Sequence, residues 1–254
     1  MSFYTIMISA INGAQPAFTS RLNPVKPFSI NTRYGRLDVA EADIKDIKST
    51  AFTKELALFF CKNFASNTDY PGWLAFNNPA KKSLRKKIIN NYIKYLRDIF
   101  YHDDGSMTLL VARDNKNKIQ GACLSYGFDE VPEARNTTLY FDAIGVNEIF
   151  RGNKTGKLMM TKTIDANKTT FTDVFLTGAT KAKGFYEKLG FRELSLENPD
   201  EIEVINFIAD DRDDYPKYVK FFTKILQPEK DRWYKKAAGA VRTLDYWFAS
   251  TLQN

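Results

Sequence analysis

One run of residues constrains this chain more than any other: Ile144-Gly-Val-Asn-Glu-Ile-Phe-Arg-Gly-Asn-Lys-Thr-Gly-Lys-Leu-Met-Met160. An apolar strand, Thr137–Val146 (TTLYFDAIGV), feeds a turn that contains Arg151, Gly152 and Gly156, and a helix opens near Arg151 and continues to about Asn167. The first N–H groups of a helix have no partner within it, and together with the helix dipole they form an anion site. Small residues let the backbone approach a phosphate-bearing group closely, and Arg151 and Lys154 add positive charge. The same pattern on its own also suits an ordinary glycine-containing connection.

The remaining periodicity supplies the elements around that turn. Arg36–Glu41 (RLDVAE) alternates and reads as a first strand. Ile44, Ile47, Phe52, Leu56, Phe59, Phe60 and Phe64 recur at helical spacing, as one helix or two, before Pro71-Gly72. Lys81–Phe100 is a further helix with the apolar face Leu84, Ile88, Ile89, Tyr92, Ile93, Leu96 and Ile99. Its polar face carries Lys81, Lys82, Arg85, Lys86, Lys87, Lys94 and Arg97, with no acid before Asp98. Thr108–Arg113 and Ile119–Phe128 flank a turn and form a hairpin. Asp173–Thr177 is a short buried strand, Thr180–Leu189 a short helix closed by Gly190, and Phe191–Leu196 and Glu201–Ala209 are two more strands. Strands and helices alternate only in the second half, which predicts an α/β sandwich on a mixed sheet rather than a doubly wound fold. Residues 1–35, with Pro16, Pro24 and Pro27, form an irregular N-terminal extension that packs on the body through Phe18 and Phe28 or adds a strand. The domain proper spans 36–209. Residues 210–254 form a helical C-terminal extension docked through Trp233, Tyr234, Val241, Leu244, Trp247 and Phe248.

Composition narrows the function classes. In 254 residues, 44% are hydrophobic and 14% aromatic, enough for a sizeable core and unlike a disordered chain. A net charge of +7 suits an anionic partner, whether a phosphorylated cofactor, an acidic protein or nucleic acid. No helix-turn-helix, zinc or RNA-binding motif accompanies the charge, so nucleic acid rests on charge alone. Cys61 and Cys123 are read as two buried thiols in a reducing compartment. Met1–Ile11 lacks the basic flank of a secretion signal and is too short to span a bilayer, so the chain is read as cytoplasmic, without a membrane anchor. His102, the one histidine, lies beside Asp103 and Asp104 and is read as a surface residue; with two distant cysteines it makes no metal site.

Downstream of the turn, Ala182-Lys-Gly-Phe-Tyr-Glu-Lys-Leu-Gly-Phe191 adds a second motif. Together the two resemble the GNAT acetyltransferase superfamily. Its cofactor loop commonly reads Arg/Gln-x-x-Gly-x-Gly/Ala, matched by Arg151, Gly152 and Gly156, and its later helix reads Ala-x-x-Phe-Tyr-Glu-Lys-x-Gly-Phe, matched by Ala182, Phe185, Tyr186, Glu187, Lys188, Gly190 and Phe191. The resemblance covers Arg36 to Ala209 and implies a mixed, largely antiparallel sheet of about seven strands flanked by helices. It also implies acetyl-CoA as cosubstrate, no metal, and an amine of a small molecule or of a protein or peptide as acceptor. The chain acting would be a monomer or homodimer. Ile144, Gly145, Val146, Arg151, Gly152, Asn153, Lys154, Thr155, Gly156 and Lys157 would contact the cofactor. Lys154 stands where the family has its first loop glycine, and a left-handed conformation there would cost lysine on the order of 1 kcal/mol; the loop is reshaped, or Lys154 contacts a phosphate. Ala179 stands where many members have asparagine.

The chemistry requires a base and an acid. An amine of pKa about 10.4 is almost wholly protonated at pH 7, and the departing thiolate benefits from a proton donor. Tyr186 occupies the position of the family's general acid; the alternative is a core tyrosine beside Phe185. Asp142 is the base candidate, acting directly or through a water; the alternative is a structural, hydrogen-bonded acid. Strand alternation places Tyr140, Asp142 and Ile144 on one face and Phe141 and Ala143 on the other. The competing readings are an active N-acetyltransferase, a catalytically weak CoA-binding sensor or scaffold of the same fold, and a nucleic-acid-associated protein. The basic face of Lys81–Arg97 is either a solvated surface or an attractor for an acidic acceptor.

Overall fold

An eight-stranded sheet in the order β1-β2-β3-β4-β5-β6-β8-β7 organises the chain. The computed structural model describes residues 22–67, 75–101, 107–127, 137–202, 205 and 219–227. The strands are β1 (Phe28–Thr32), β2 (Gly35–Glu41), β3 (Met107–Arg113), β4 (Ile119–Gly127), β5 (Thr138–Val146), β6 (Asp173–Ala179), β7 (Arg192–Glu193) and β8 (Val219–Ile225). Every neighbouring pair is antiparallel except β5 and β6. The helices are α1 (Ile44–Lys48), α2 (Thr50–Asn67), α3 (Lys82–Tyr101), α4 (Thr155–Asn167) and α5 (Lys183–Glu187). The apolar run after β2 is thus two helices. Asp43 caps α1 through the N–H groups of Lys45 and Asp46, and Ser49, in an extended conformation, separates α1 from α2.

The sheet separates two apolar clusters. One lies under α4 and joins Leu37, Leu110, Phe141, Met159, Met160, Ile164, Leu176, Tyr186 and Phe222. The other lies under α2 and α3 and joins Leu56, Phe60, Tyr92, Leu96, Leu109, Leu124 and Ala143. Helices therefore cover both faces of a mixed sheet, as the sequence predicts. Cys61 and Cys123 are free and buried, as expected, one in each cluster.

At one end of the sheet Phe28–Thr32, within the N-terminal extension, is the added strand that the sequence reading left open, an edge strand paired with β2. The other end departs from the sequence expectation. Glu201–Ala209 is not a strand where it is described: residues 199–202 and 205 are helical. The reason lies in Glu201, 2% exposed, whose carboxylate accepts from Arg192 Nη2 at 2.8 Å and from the Ser195 N–H; helical backbone turns it inward. The C-terminal segment read as helical supplies β8, inserted between β6 and β7. Phe221 and Phe222 are both buried, on opposite faces, so this strand shows no alternation of apolar and polar residues. It brings the strand count to eight rather than about seven. Phe191–Leu196 contracts to the two residues of β7. Residues 1–21 with Phe18, Pro71-Gly72, His102 with Asp103 and Asp104, and Trp233, Tyr234, Val241, Leu244, Trp247 and Phe248 lie outside the described residues.

β8 supports the site directly. Phe222 is fully buried with its ring centroid 5.0 Å from that of Tyr186, and Lys224 Nζ donates to the Leu189 carbonyl at 2.7 Å just past α5. Truncating a buried phenylalanine to alanine typically costs about 3–5 kcal/mol. Phe222→Ala is expected to lose that much in urea unfolding; a loss below about 1 kcal/mol would mean that β8 is not an integral strand.

Candidate active site

The cleft originates where two strands part. β5 and β6 pair in parallel from Thr138–Asp173 to Phe141–Leu176 and no further. At that point β5 carries a bulge: Leu124 faces Ala143 and Ser125 faces Phe141, which leaves Asp142 as the extra residue. The bulge corrects the expected alternation. Phe141 and Ile144 both pack with the α4-side cluster, and Ala143 with the opposite one. Ile144 therefore does not share a face with Asp142, because the extra residue shifts the two-residue period by one. A cleft of about 670 Å³ opens between the diverging strand ends, lined by residues of α2, α3, β5, the loop before α4, β6 and α5.

On one side of the sheet the cleft meets the N-terminus of α4. A 3-10 turn at Glu148–Phe150, capped by Asn147, precedes the loop. The α-helix starts at Thr155 rather than near Arg151. Arg151 is turned toward the protein: Nε donates to the Val146 carbonyl at 3.0 Å, and Nη2 to Asn63 Oδ1 at 3.2 Å and Ser66 Oγ at 3.1 Å. It ties the loop to β5 and α2. Gly152 has φ +80, which only glycine adopts without strain. Asn153 is the one predicted cofactor contact off the cleft wall; its amide donates to the carbonyls of Phe150 and Arg151 and holds the turn. Lys154 has φ 63 and ψ 5, a left-handed residue at the N-cap of α4 without a side-chain cap. The position therefore does have the glycine conformation that the sequence comparison suggested. Thr155 is 2% exposed and its Oγ1 is buried without a partner. A Cβ on Gly156 would sit 3.4 Å from Phe185 Cζ and from Val146 Cγ2, so any longer side chain enters the cleft. Ile144, Gly145, Val146 and Lys157 also line it.

Lys181 and Lys188 join Arg151, Lys154 and Lys157 on the wall, against one acid, Asp142, among the described lining residues. Free N–H groups, a buried orphan hydroxyl and this cationic rim suit an elongated ligand carrying phosphates. Among the described residues no group of His, Cys, Asp and Glu could hold a metal ion.

Asp142 and Tyr186 reach the cleft from opposite sides of the sheet. Asp142 Oδ1 accepts from the Tyr95 hydroxyl at 2.7 Å and the Tyr126 hydroxyl at 3.4 Å, while Oδ2 is buried without a partner. Burial raises its pKa to about 6, and the two phenols offset part of the rise. Tyr186 is 6% exposed. Burial pushes its phenol above the usual tyrosine range, and no described residue hydrogen-bonds its hydroxyl. Its ring lies over Gly178, where a Cβ would meet Cε2 at 2.5 Å; only glycine fits. Ala179, at the end of β6, begins the next 3-10 turn without a side-chain cap, the contact an asparagine would supply.

Sequence reasoning did not single out Tyr95, Tyr126 or Asn63, and it read Phe64 only as part of the apolar spacing of a helix. Tyr92 and Tyr95 recur at i, i+3 on the buried face of α3, a pattern that a core helix also shows.

The acetyltransferase (GNAT) domain family model matches residues 105–193. No curated protein matches the chain. Similar solved structures include a GNAT-family acetyltransferase from Staphylococcus aureus Mu50, with 17% identity, 75% of this chain and 99% of that one covered, and a TM-score of 0.48. The PaiA N-acetyltransferase of Thermoplasma acidophilum in complex with coenzyme A has 12% identity, 74% and 98% coverage and a TM-score of 0.47. An aminoglycoside 6'-N-acetyltransferase complexed with coenzyme A has 11% identity, 76% and 99% coverage and a TM-score of 0.49.

The left-handed lysine yields a test. Relief of strain on the order of 1 kcal/mol, less about half that for the freer unfolded chain, should leave Lys154→Gly about 0.5 kcal/mol more stable. Thermal unfolding checks this; a lower midpoint would show that Lys154 is held by favourable contacts rather than strained.

Proposed function

We propose that the chain, whose residues 105–193 match the GNAT acetyltransferase domain model, transfers an acetyl group from acetyl-CoA to a primary amine. The observation that carries the reading is the meeting in one cleft of an uncapped helix N-terminus with an orphan buried hydroxyl, Thr155 Oγ1, and a buried carboxylate oxygen without a partner, Asp142 Oδ2. The α4 N-terminus with Thr155, Gly156 and Lys157, and the rim lysines Lys154, Lys181 and Lys188, would hold the phosphates. The backbone of Ile144–Val146, freed where β5 leaves β6, would pair with the pantetheine arm. Acetyl-CoA supplies an acetyl group already activated as a thioester.

The chain's residues manage the protons. Asp142 Oδ2 takes one from the acceptor ammonium, freeing the lone pair that forms the new N–C bond as the C–S bond breaks. With the carboxyl near pKa 6 and an ordinary amine near 10.4, the transfer costs about 6 kcal/mol in water. The carboxyl value already includes burial, so the remaining gap closes from the other side, as the apolar cleft lowers the pKa of the bound ammonium. Tyr95 and Tyr126 hold Oδ1, which orients Oδ2. Tyr186, kept protonated by burial, donates to the departing sulfur, and the second proton of the amine nitrogen, shed as the amide forms, restores the phenol. A CoA-binding sensor or scaffold without turnover is the second reading, favoured by the uncapped Ala179.

Calorimetry with acetyl-CoA tests the site. Micromolar binding by the wild type and its loss in Gly156→Glu, with thermal stability retained, are expected; a folded wild type that does not bind acetyl-CoA removes the proposal, and binding without turnover across amines favours the sensor.

The pH dependence tests the base. The logarithm of kcat/KM, which reports the free enzyme, should rise with unit slope up to about pH 6 and then level. Asp142→Asn should abolish that limb and lower kcat about 10²–10⁴-fold. Stability moves the other way. A carboxyl whose folded pKa is raised favours folding at low pH and loses that contribution as pH rises through about 6. Asp142→Asn should therefore gain stability relative to wild type between pH 4 and pH 8. An unchanged rate profile in the variant would return Asp142 to a structural role.

A further inference from the structure

The wall opposite the helix N-terminus narrows the acceptor. An aromatic row runs from α2 to α3: Phe60 and Phe64 stack at 5.6 Å, Phe64 meets Tyr92 at 6.0 Å, and Tyr92 meets Tyr95 at 5.6 Å. Phe64, Tyr92 and Tyr95 line the cleft. The row ends on the Tyr95 hydroxyl, 2.7 Å from Asp142. Aromatic faces attract a cation and bury an apolar body alike, and one carboxylate neutralises one ammonium.

A second positive charge on the acceptor finds no counterpart among the described residues of the wall. The other charged groups of the described wall are Arg151, Lys154, Lys157, Lys181 and Lys188, and the solvent face of α3 adds the exposed Lys82, Arg85, Lys86, Lys87, Lys94 and Arg97. A further ammonium within about 10 Å of these is repelled. A carboxylate beside the amine would lie against Asp142, and Arg151 is already held by Val146, Asn63 and Ser66.

Resting on the acetyl-transfer reading, we propose that the acceptor is a primary monoamine on an aromatic or similarly apolar body, its ammonium against Asp142 and its body against Phe64, Tyr92 and Tyr95. A panel assayed on the full chain tests this, with 2-phenylethylamine as the probe and spermidine, kanamycin, lysine and a lysine-containing peptide as competitors. The kcat/KM for 2-phenylethylamine should exceed each of the others at least tenfold. Phe64→Ala, or Phe64→Leu if the alanine variant does not fold, should raise the KM for 2-phenylethylamine about tenfold and leave that for acetyl-CoA unchanged. Preference for a polyamine, an aminoglycoside, an amino acid or the peptide overturns the proposal and leaves acetyl transfer standing. If no amine is turned over, acetyl transfer fails and calorimetric titration with 2-phenylethylamine decides the ligand class: binding weakened by the Phe64 variants sustains it, and no binding overturns it.

Discussion

The parallel ladder between β5 and β6 ends at Phe141 and Leu176, and the cleft depends on that ending. A strand pair that continued would close the sheet and leave no passage between its faces. Two local causes keep the strands apart. The bulge at Asp142 bends β5 and consumes one residue of its period. On β6, Gly178 lies under the Tyr186 ring, which occupies the space a side chain would fill. What separates the strands also furnishes the groups in the gap: the bulged residue is the candidate base, and the ring over the glycine belongs to the candidate acid.

The two sides of the sheet then divide the work by chemistry. Toward α4 the cleft presents unpaired N–H groups, small residues and lysines, a surface for anions. Toward α2 and α3 it presents aromatic rings and one carboxylate, a surface for an apolar cation. Arg151 links the two halves: its backbone belongs to the loop, and its guanidinium bonds Asn63 and Ser66 on α2. Movement of one wall is thereby mechanically connected to the other.

The parts legible in the sequence were those whose signal is local. Gly152 and Gly156 marked the loop and Gly190 the end of the Tyr186 segment because backbone conformation there demands small or left-handed residues; Gly190 has φ +81. Lys154 was legible as a departure for the same reason. What the sequence concealed was set by distant partners. The bulge at Asp142 is invisible in TTLYFDAIGV, because an apolar run reads the same with or without a shift of one residue. Tyr95 on a buried helical face is indistinguishable from core until its hydroxyl is seen at Asp142. β8 (VKFFTKI) is apolar on both faces and pairs with a strand some forty residues upstream, so no periodicity separates it from a short helix.

The strand order carries a consequence for the nascent chain. β7 precedes β8 in sequence, yet β8 is its one neighbour among the described strands, so among these β7 has nothing to pair with when it is first made. Phe222, which packs on Tyr186, follows it by 36 positions in the chain, roughly 2–7 s of translation at typical rates. During that interval the segment bearing the candidate acid has no partner strand behind it. The half of the site built on β5 and α4 can assemble before β8 is made; the half built on Tyr186 must wait for β8 to emerge.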